Sequence, residues 1–507
     1  MSEHAETRSD DRSRWLALYV LCAGVLMIVL DVTIVNVALP SIQEDLGFSQ
    51  SSLAWVVNAY LIPFGGLLLL SGRLGDLIGQ RRIFLNGLAL FIVASLLCAI
   101  AQTEAMLIGA RFVQGVAGAL TSAVVLGMIV TMFPEPREQA KAIGVYGFVA
   151  SAGGSIGLLA GGFLTEAINW HWIFFINIPV GLLTFFFSLR LIEARPGIGL
   201  EKGADVPGAL LLIGGLMLGV YTILDVAEVG WTAAQTLLLG ALSAVLLAAF
   251  VVRQDRVQTP LMPLRLFRVR NVSCANAIQA LMVAGMFSMF FLGALYMQRI
   301  LGYDPLQVGL AFLPATLVMG TMSLGFSERL IMRFGPRQTL IVGMLLTALG
   351  LLLFARTPVD GSFVADILPP MLVTGFGIGT SFPSLMTLAM SGSTPEDSGL
   401  ASGVVNTSAQ VGGAIGLAVL TTLATGRTED LLAGGTGQAA ALNSGFHLAY
   451  LVGAALVGVA LLVAVFVLRA PAPGSVPGMG DEAEPELDRA PEAGERATRE
   501  PAYSDAR

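Results

Sequence analysis

Long apolar runs separated by short polar turns recur almost from one end of the chain to the other. Fourteen stand out, at residues 15–39, 51–71, 83–101, 105–132, 142–164, 172–190, 206–224, 235–252, 272–297, 307–325, 338–355, 367–390, 401–423 and 444–468. Each is long enough to cross about 30 Å of hydrocarbon as an α-helix. Membrane-spanning strands would instead alternate apolar and polar positions over about ten residues, so the pattern predicts an all-α integral membrane protein. The first run starts at Trp15 behind a charged head and lacks a small-residue cleavage site, so it is expected to remain as a helix and not to leave as a signal peptide.

Composition agrees with this. Of 507 residues, 55% are hydrophobic and 12% charged, where soluble domains run near one quarter charged. With the N-terminus on the cytoplasmic side, twenty-four of the twenty-eight Lys and Arg fall in cytoplasmic tails and loops. Arg299, Arg356 and Arg427 fall outside, and Arg111 lies within a span. That asymmetry predicts a multi-pass membrane protein with both termini cytoplasmic, and the membrane expected is a bacterial inner one. The net charge of −7 says little about partners, because acids gather in residues 469–507, a Pro-, Gly-, Glu- and Ala-rich stretch expected to be a disordered cytoplasmic tail. Residues 1–14 are expected to form a similar cytoplasmic head.

Cys22, Cys98 and Cys274 lie in apolar runs without His neighbours, which argues against a disulfide framework or a metal site. No GxxxxGK[ST] motif and no convergent catalytic set occur. The chain is therefore expected to be neither an ATP pump nor an enzyme, to carry no cofactor, and to bind no nucleic acid. The partners expected are the lipid bilayer, protons and a small-molecule substrate, with the chain acting as a monomer.

An internal repeat orders the spans. AIGVYGFVASAGGSIGL at 142–158 matches ASGVVNTSAQVGGAIGL at 401–417 with a constant offset, which also places Pro136 on Pro395. Spans five and thirteen are then equivalent members of two six-helix halves, 15–190 and 272–468, with 206–252 as an inserted pair. Related halves around a midplane site are a usual build of alternating-access transporters.

Four groups of residues carry candidate chemistry. GRLGDLIGQRR, residues 72–82, sets charges between apolar runs two and three. Gly72, Gly75 and Gly79 would permit a tight turn, Asp76 would accept a hydrogen bond or cap the next helix, and Arg81 with Arg82 would reach acidic groups. This is either a latch that forms and breaks as helix ends separate, or an ordinary basic loop.

Asp31 and Arg111 lie inside apolar spans at similar predicted depth, and an ionisable group there is by default a relay or ligand site. They are either a proton-coupling pair, if they meet at all, or a static buried contact. Gly153, Gly157 and Gly161 recur every fourth residue and suit close helix packing or a hinge. Asn58, Tyr60, Gln114, Asn276, Gln279, Tyr296, Asn406 and Gln410 are polar positions that would either line a substrate cavity or bond neighbouring helices.

GRLGDLIGQRR resembles the cytoplasmic signature loop of the major facilitator superfamily, with Leu77 where the family often has arginine. LDVTIVNVALP (30–40), RFVQGVAGAL (111–120), WHWIFFINIPVG (170–181), PLMPLRLFRVRN (260–271) and GGSIGLLAGG (153–162) are similar to motifs of its fourteen-helix drug:proton antiporter family. His171 stands where that family has arginine, and Leu158 where its antiporter motif has proline. The resemblance implies a major facilitator fold of two six-helix halves plus two central helices, with export of small hydrophobic or amphipathic compounds in exchange for protons. It also implies a part for Arg111 in proton coupling and for Asp31 in proton or substrate handling. A dedicated exporter of one metabolite, amino acid or siderophore is the alternative.

Overall fold

The computed structural model describes residues 3–468 apart from 50–51, 134, 198, 200, 202 and 391–397. The tail expected at 469–507 and the matching Pro395 lie outside the described residues. Within them every regular element is a helix: α1 (Glu3–Leu46), α2 (Trp55–Ile78), α3 (Gln80–Ala99), α4 (Glu104–Met132), α5 (Pro136–Ala167), α6 (Trp172–Phe175) and α7 (Asn177–Leu191). Next come α8 (Val206–Val229) and α9 (Ala234–Arg256), then α10 (Arg270–Phe287), α11 (Gly293–Arg299), α12 (Pro305–Thr321) and α13 (Ser327–Phe334). The chain closes with α14 (Pro336–Phe354), α15 (Leu368–Met390), α16 (Ser398–Ala433) and α17 (Gln438–Phe466).

Each of the fourteen apolar runs falls on helix. Among the described residues, twelve helical stretches are long and apolar enough to cross a membrane, and Pro305–Thr321 and the Ile156–Ala167 part of α5 are apolar but shorter. Three runs are locally rewound by π-type turns, at Ser288–Leu292, Met322–Phe326 and Phe363–Ile367. The shortness of α12 follows from one of them. It starts sharply at a capping box, where Asp304 accepts from the Gln307 amide and the Gln307 side chain accepts from the Asp304 amide, and its α-pattern stops where the Met322 turn begins. The head does not stand apart, because α1 begins at Glu3 and runs straight into the first apolar run.

The sequence suggested an eleven-residue charged loop at 72–82, and the structure corrects this. α2 continues to Ile78 and α3 resumes at Gln80, leaving Gly79 alone to reverse the chain at φ 111°. Only this glycine turns the backbone. Gly75 lies inside α2 against Val124, and Gly72 faces open space. Asp76 is exposed and does not cap α3, whose N-cap is Gly79 without a side-chain bond. Arg82 is exposed as well, while Arg81 is half-buried and donates to the Leu189 carbonyl at 2.6 Å. The stretch after α7 straps the turn: the Gly199 amide donates to the Leu77 carbonyl at 3.1 Å. A Cβ at Gly79 would stand 2.8 Å from the Arg195 carbonyl. The end of the bundle carrying Arg73, Arg81 and Arg82 is called the basic end below, and the opposite one the far end.

Glycines set the closest helix contacts. Gly153, Gly157 and Gly161 of α5 all face α1, meeting Val29, Thr33 and Ile34. In α16, Gly412 and Gly416 meet Ala280 and Ala284 of α10. So α5 lies on α1 as α16 lies on α10, and each also reaches a further helix: α5 packs on α12 and α16 on α2. The two segments matched by the sequence repeat thus occupy equivalent packing positions. The α8–α9 pair attaches beside them, with Ile213 of α8 against Gly66 of α2 and the Ile223 carbonyl accepting from Thr422 of α16 at 2.9 Å.

Candidate functional site

Arg111 and Asp31, which the sequence placed only at similar depth, are in direct contact. The Arg111 Nη1 donates to Asp31 Oδ2 at 2.5 Å, and the two side chains are 1% and 0% exposed. Each is brought there by its own helix. α1 carries Asp31 inward against α4 and α7, while α4 approaches α2 closely because Gly115 and Gly118 leave no side chain in the way. A Cβ on Gly118 would sit 2.7 Å from the Tyr60 hydroxyl oxygen.

A buried carboxylate is tolerable only if its oxygens are fully hydrogen-bonded. Here three donors converge on it. Besides Arg111, the Gln114 amide donates to Oδ1 at 2.6 Å and the Asn177 amide at 2.8 Å. Gln114 also donates to Ser95 Oγ at 2.9 Å and accepts from Arg111 at 2.8 Å. The guanidinium is satisfied in turn: Nε donates to the Val56 carbonyl at 2.9 Å, and the Tyr60 ring lies 4.5 Å from its centre. The arrangement can hold one negative and one positive charge in a dry interior. No face of Asp31 is open in this structure.

The other polar positions have the following surroundings. Tyr60 and Gln114 belong to the Asp31 network. Asn58 is fully buried on α2, and neither of its amide atoms has a hydrogen-bond partner. Asn276 joins α10 to α16, donating to the Val272 carbonyl and accepting from Ser408 at 2.8 Å. Gln279 is buried one helical turn further along α10. Tyr296 donates to the Pro358 carbonyl at 2.6 Å, which ties it to the loop after α14. Gln410 packs its stem against Gly65 of α2, and Asn406 is exposed.

Asn177 and Ser95 complete the network and were not singled out from the sequence. Asn177 opens α7 within WIFFINIPVG, and the signal was the same one used for Asn58 and Asn276: an amide inside an otherwise apolar run. Ser95 carried no signal, because small hydroxyls are common in membrane helices.

The first six and last six spans meet at the far end, and also toward the basic end, where Leu69 of α2 packs against Gly403 and Val404 of α16. Gln298 donates to the Val37 carbonyl at 2.8 Å, a Cβ on Gly162 would stand 2.5 Å from the Pro305 carbonyl, and one on Gly309 2.6 Å from the Leu158 carbonyl. Nearer the middle, Thr407 of α16 donates to the Gly65 carbonyl of α2 at 3.2 Å.

Comparison with known proteins adds a lineage. The family model of the Major Facilitator Superfamily matches residues 21–417. The puromycin resistance protein pur8 of Streptomyces alboniger is 42% identical over 468 residues, covering 91% of this chain and 92% of that protein. The cephamycin export protein CmcT of Amycolatopsis lactamdurans is 37% identical over 469 residues, covering 91% and 94%. Among solved structures, the nucleoside transporter NupG superposes with a TM-score of 0.63 at 13% identity, covering 90% of this chain and all of that one. A bacterial homologue of the human lysosomal transporter Spinster gives the same TM-score at 14% identity, covering 90% and 97%. These two structural likenesses concern the fold alone.

Proposed function

This chain belongs to the Major Facilitator Superfamily, and from that premise we propose that it is a secondary antiporter exporting small hydrophobic or amphipathic compounds in exchange for protons. The observation that carries the reading is the Asp31–Arg111 network, a fully buried acid with three donors, in a chain resembling antibiotic resistance and export proteins over nine-tenths of its length. An acid in that position binds or releases a proton only when helices α1, α4 and α7 separate. Proton occupancy and conformation are thereby linked, and a ligand shifts a two-state equilibrium only by its difference in affinity for the two states.

In this reading the chain has fourteen spans, counting the two shorter apolar helices. Residues 15–190 and 272–468 form two six-helix halves, 206–252 an inserted pair, and the basic end with both termini faces the cytoplasm of a bacterial cell. The far-end contacts Val37–Gln298 and Gly162–Pro305 then belong to a state closed to the outside. The Gly79 turn, with Gly72, Asp76, Arg81 and Arg82 around it, gates the basic end. Gly153, Gly157 and Gly161 give α5 a smooth track on α1, and Asn58, with its unpartnered amide, is the first residue to test for substrate contact.

A second reading, a dedicated exporter of a single compound, is supported by the names of the puromycin resistance and cephamycin export proteins, which specify one antibiotic each. Uptake of puromycin, a cephamycin and a panel of unrelated amphipathic dyes into proteoliposomes with an acid lumen separates the two. Transport of several classes supports the broad exporter, transport of one supports the dedicated exporter, and transport of none by folded, reconstituted protein overturns the broad exporter.

A further inference from the structure

A cleft of about 660 Å³ opens at the basic end, among the ends of α1, α2, α4 and α7 and the strap that follows α7. Its charged lining is Arg14, Asp76, Arg81, Arg190, Glu193 and Arg195. The arginines are held largely by carbonyls, which position a guanidinium without neutralising it. Arg81 donates to Leu189, Arg195 to Thr131 at 3.4 Å, and Arg14 to Met132 at 3.5 Å. Arg14 has Glu138 at 3.6 Å, but no carboxylate of the described residues lies within 4 Å of Arg81, Arg190 or Arg195. Arg81 Nε is buried without a hydrogen-bond partner.

A second feature identifies the kind of anion. Leu182, Leu183, Phe186 and Phe187 of α7 are 46% to 60% exposed, and their spacing sets them on one helix face that ends at Arg190. The Arg190 guanidinium lies 4.3 Å from the centre of the Phe186 ring. A continuous apolar track leading into a cationic cleft at the ends of apolar spans matches an acyl chain joined to a phosphate.

We propose that this cleft binds the phosphodiester headgroup of an anionic phospholipid, with an acyl chain along the α7 face. Arg190 and Arg195 meet the phosphate from the strap side and Arg81 from the turn, and the bound lipid bridges the Gly79 turn to α7. Guanidinium–phosphate contacts are charge-assisted, and each basic residue near an anionic surface adds appreciably to lipid affinity. The site is separate from the Asp31 network and stands whether or not the chain exchanges protons.

The test is native mass spectrometry of delipidated full-length protein titrated with phosphatidylglycerol, phosphatidylethanolamine, phosphatidylcholine or inorganic phosphate. Phosphatidylglycerol should bind roughly tenfold or more tightly than phosphatidylcholine, and Arg190→Gln with Arg195→Gln should remove that preference. Equal binding of the three lipids, or an unchanged preference in the variant, overturns the proposal. Competition by millimolar inorganic phosphate equal to that by the lipid would make it a free-phosphate site and overturn the lipid assignment. If the double variant does not fold, Arg190→Gln alone should weaken the preference severalfold, and no change in it counts against the proposal.

Discussion

At the scale of single residues, the decisive pair is Asp31 and Arg111, and its energetics are asymmetric. Breaking a buried ion pair from one side strands a charge in the interior, at a cost of about 3–5 kcal/mol, whereas removing both charges strands none. Arg111→Gln should therefore lower the thermal unfolding midpoint in detergent sharply, and adding Asp31→Asn to it should restore much of the loss. Equal loss in the single and double variants would mean that the two charges are not coupled. Both residues were legible in the sequence, because an acid and a base inside apolar runs are conspicuous. Their contact was not, since depth along a helix carries no information about which way a side chain points. Asn177 was harder to find, because an uncharged amide costs less to bury and so stands out less.

At the scale of elements, the turn at Gly79 shows how a motif can be recognised while its shape is misread. Residues 72–78 have charge and glycine enough to suggest a loop, yet helix α2 continues through them, because the apolar positions Leu74, Leu77 and Ile78 keep helical spacing and find neighbours. Strain then concentrates at one residue. Gly79→Ala forces a side chain into a left-handed backbone and against the Arg195 carbonyl, so it should destabilise by about 1–3 kcal/mol. Gly72→Ala, in open space within the helix, should be neutral or slightly stabilising. Thermal unfolding of the two variants compares them directly, and equal effects would contradict this account of the turn.

The inserted pair has its own anchor. Asp205 caps α8 through the Gly208 amide at 3.0 Å and accepts from Arg253 at 2.6 Å and Gln254 at 2.7 Å, both on α9. Burial pushes its carboxyl up, but the bonds from Arg253, Gly208 and Gln254 and the Arg253 charge outweigh burial and hold it below the ordinary carboxylate value. A depressed folded value contributes stability that is present above the unfolded value, near 4, and is lost as pH falls through the folded one. Asp205→Asn should thus lower the unfolding midpoint at pH 7, and the gap from the parent should close as the pH drops below about 4. A gap independent of pH would show that the cap's charge is not what stabilises it.

At the scale of the whole molecule, the repeat was the most informative sequence feature. A seventeen-residue stretch recurring at a constant offset, with nine identical positions, paired α5 with α16, and the structure packs α5 on α1 and α16 on α10. Their crossings to α12 and α2 were not legible, since a repeat says which helices correspond and not which ones meet across the seam. The partners of the polar positions were not legible for the same reason: Asn276 bonds Ser408 across a helix contact and Tyr296 bonds the loop after α14. If the far-end contacts open and close during transport, a flexible bis-maleimide linking Val37→Cys to Gln298→Cys should stop turnover, while each single variant treated alike should remain active. Full activity after cross-linking would remove the far end from the cycle.

The central claim is that Asp31 is the group whose protonation is tied to that opening. It is tested most directly by recording proton and substrate fluxes together in proteoliposomes under an imposed pH gradient, for the parent chain and for Asp31→Asn. The account predicts that the parent accumulates substrate as protons leave an acid lumen, and that Asp31→Asn, folded and still binding substrate, neither accumulates it nor shows a substrate-dependent proton efflux. Undiminished proton-driven accumulation by Asp31→Asn would contradict it.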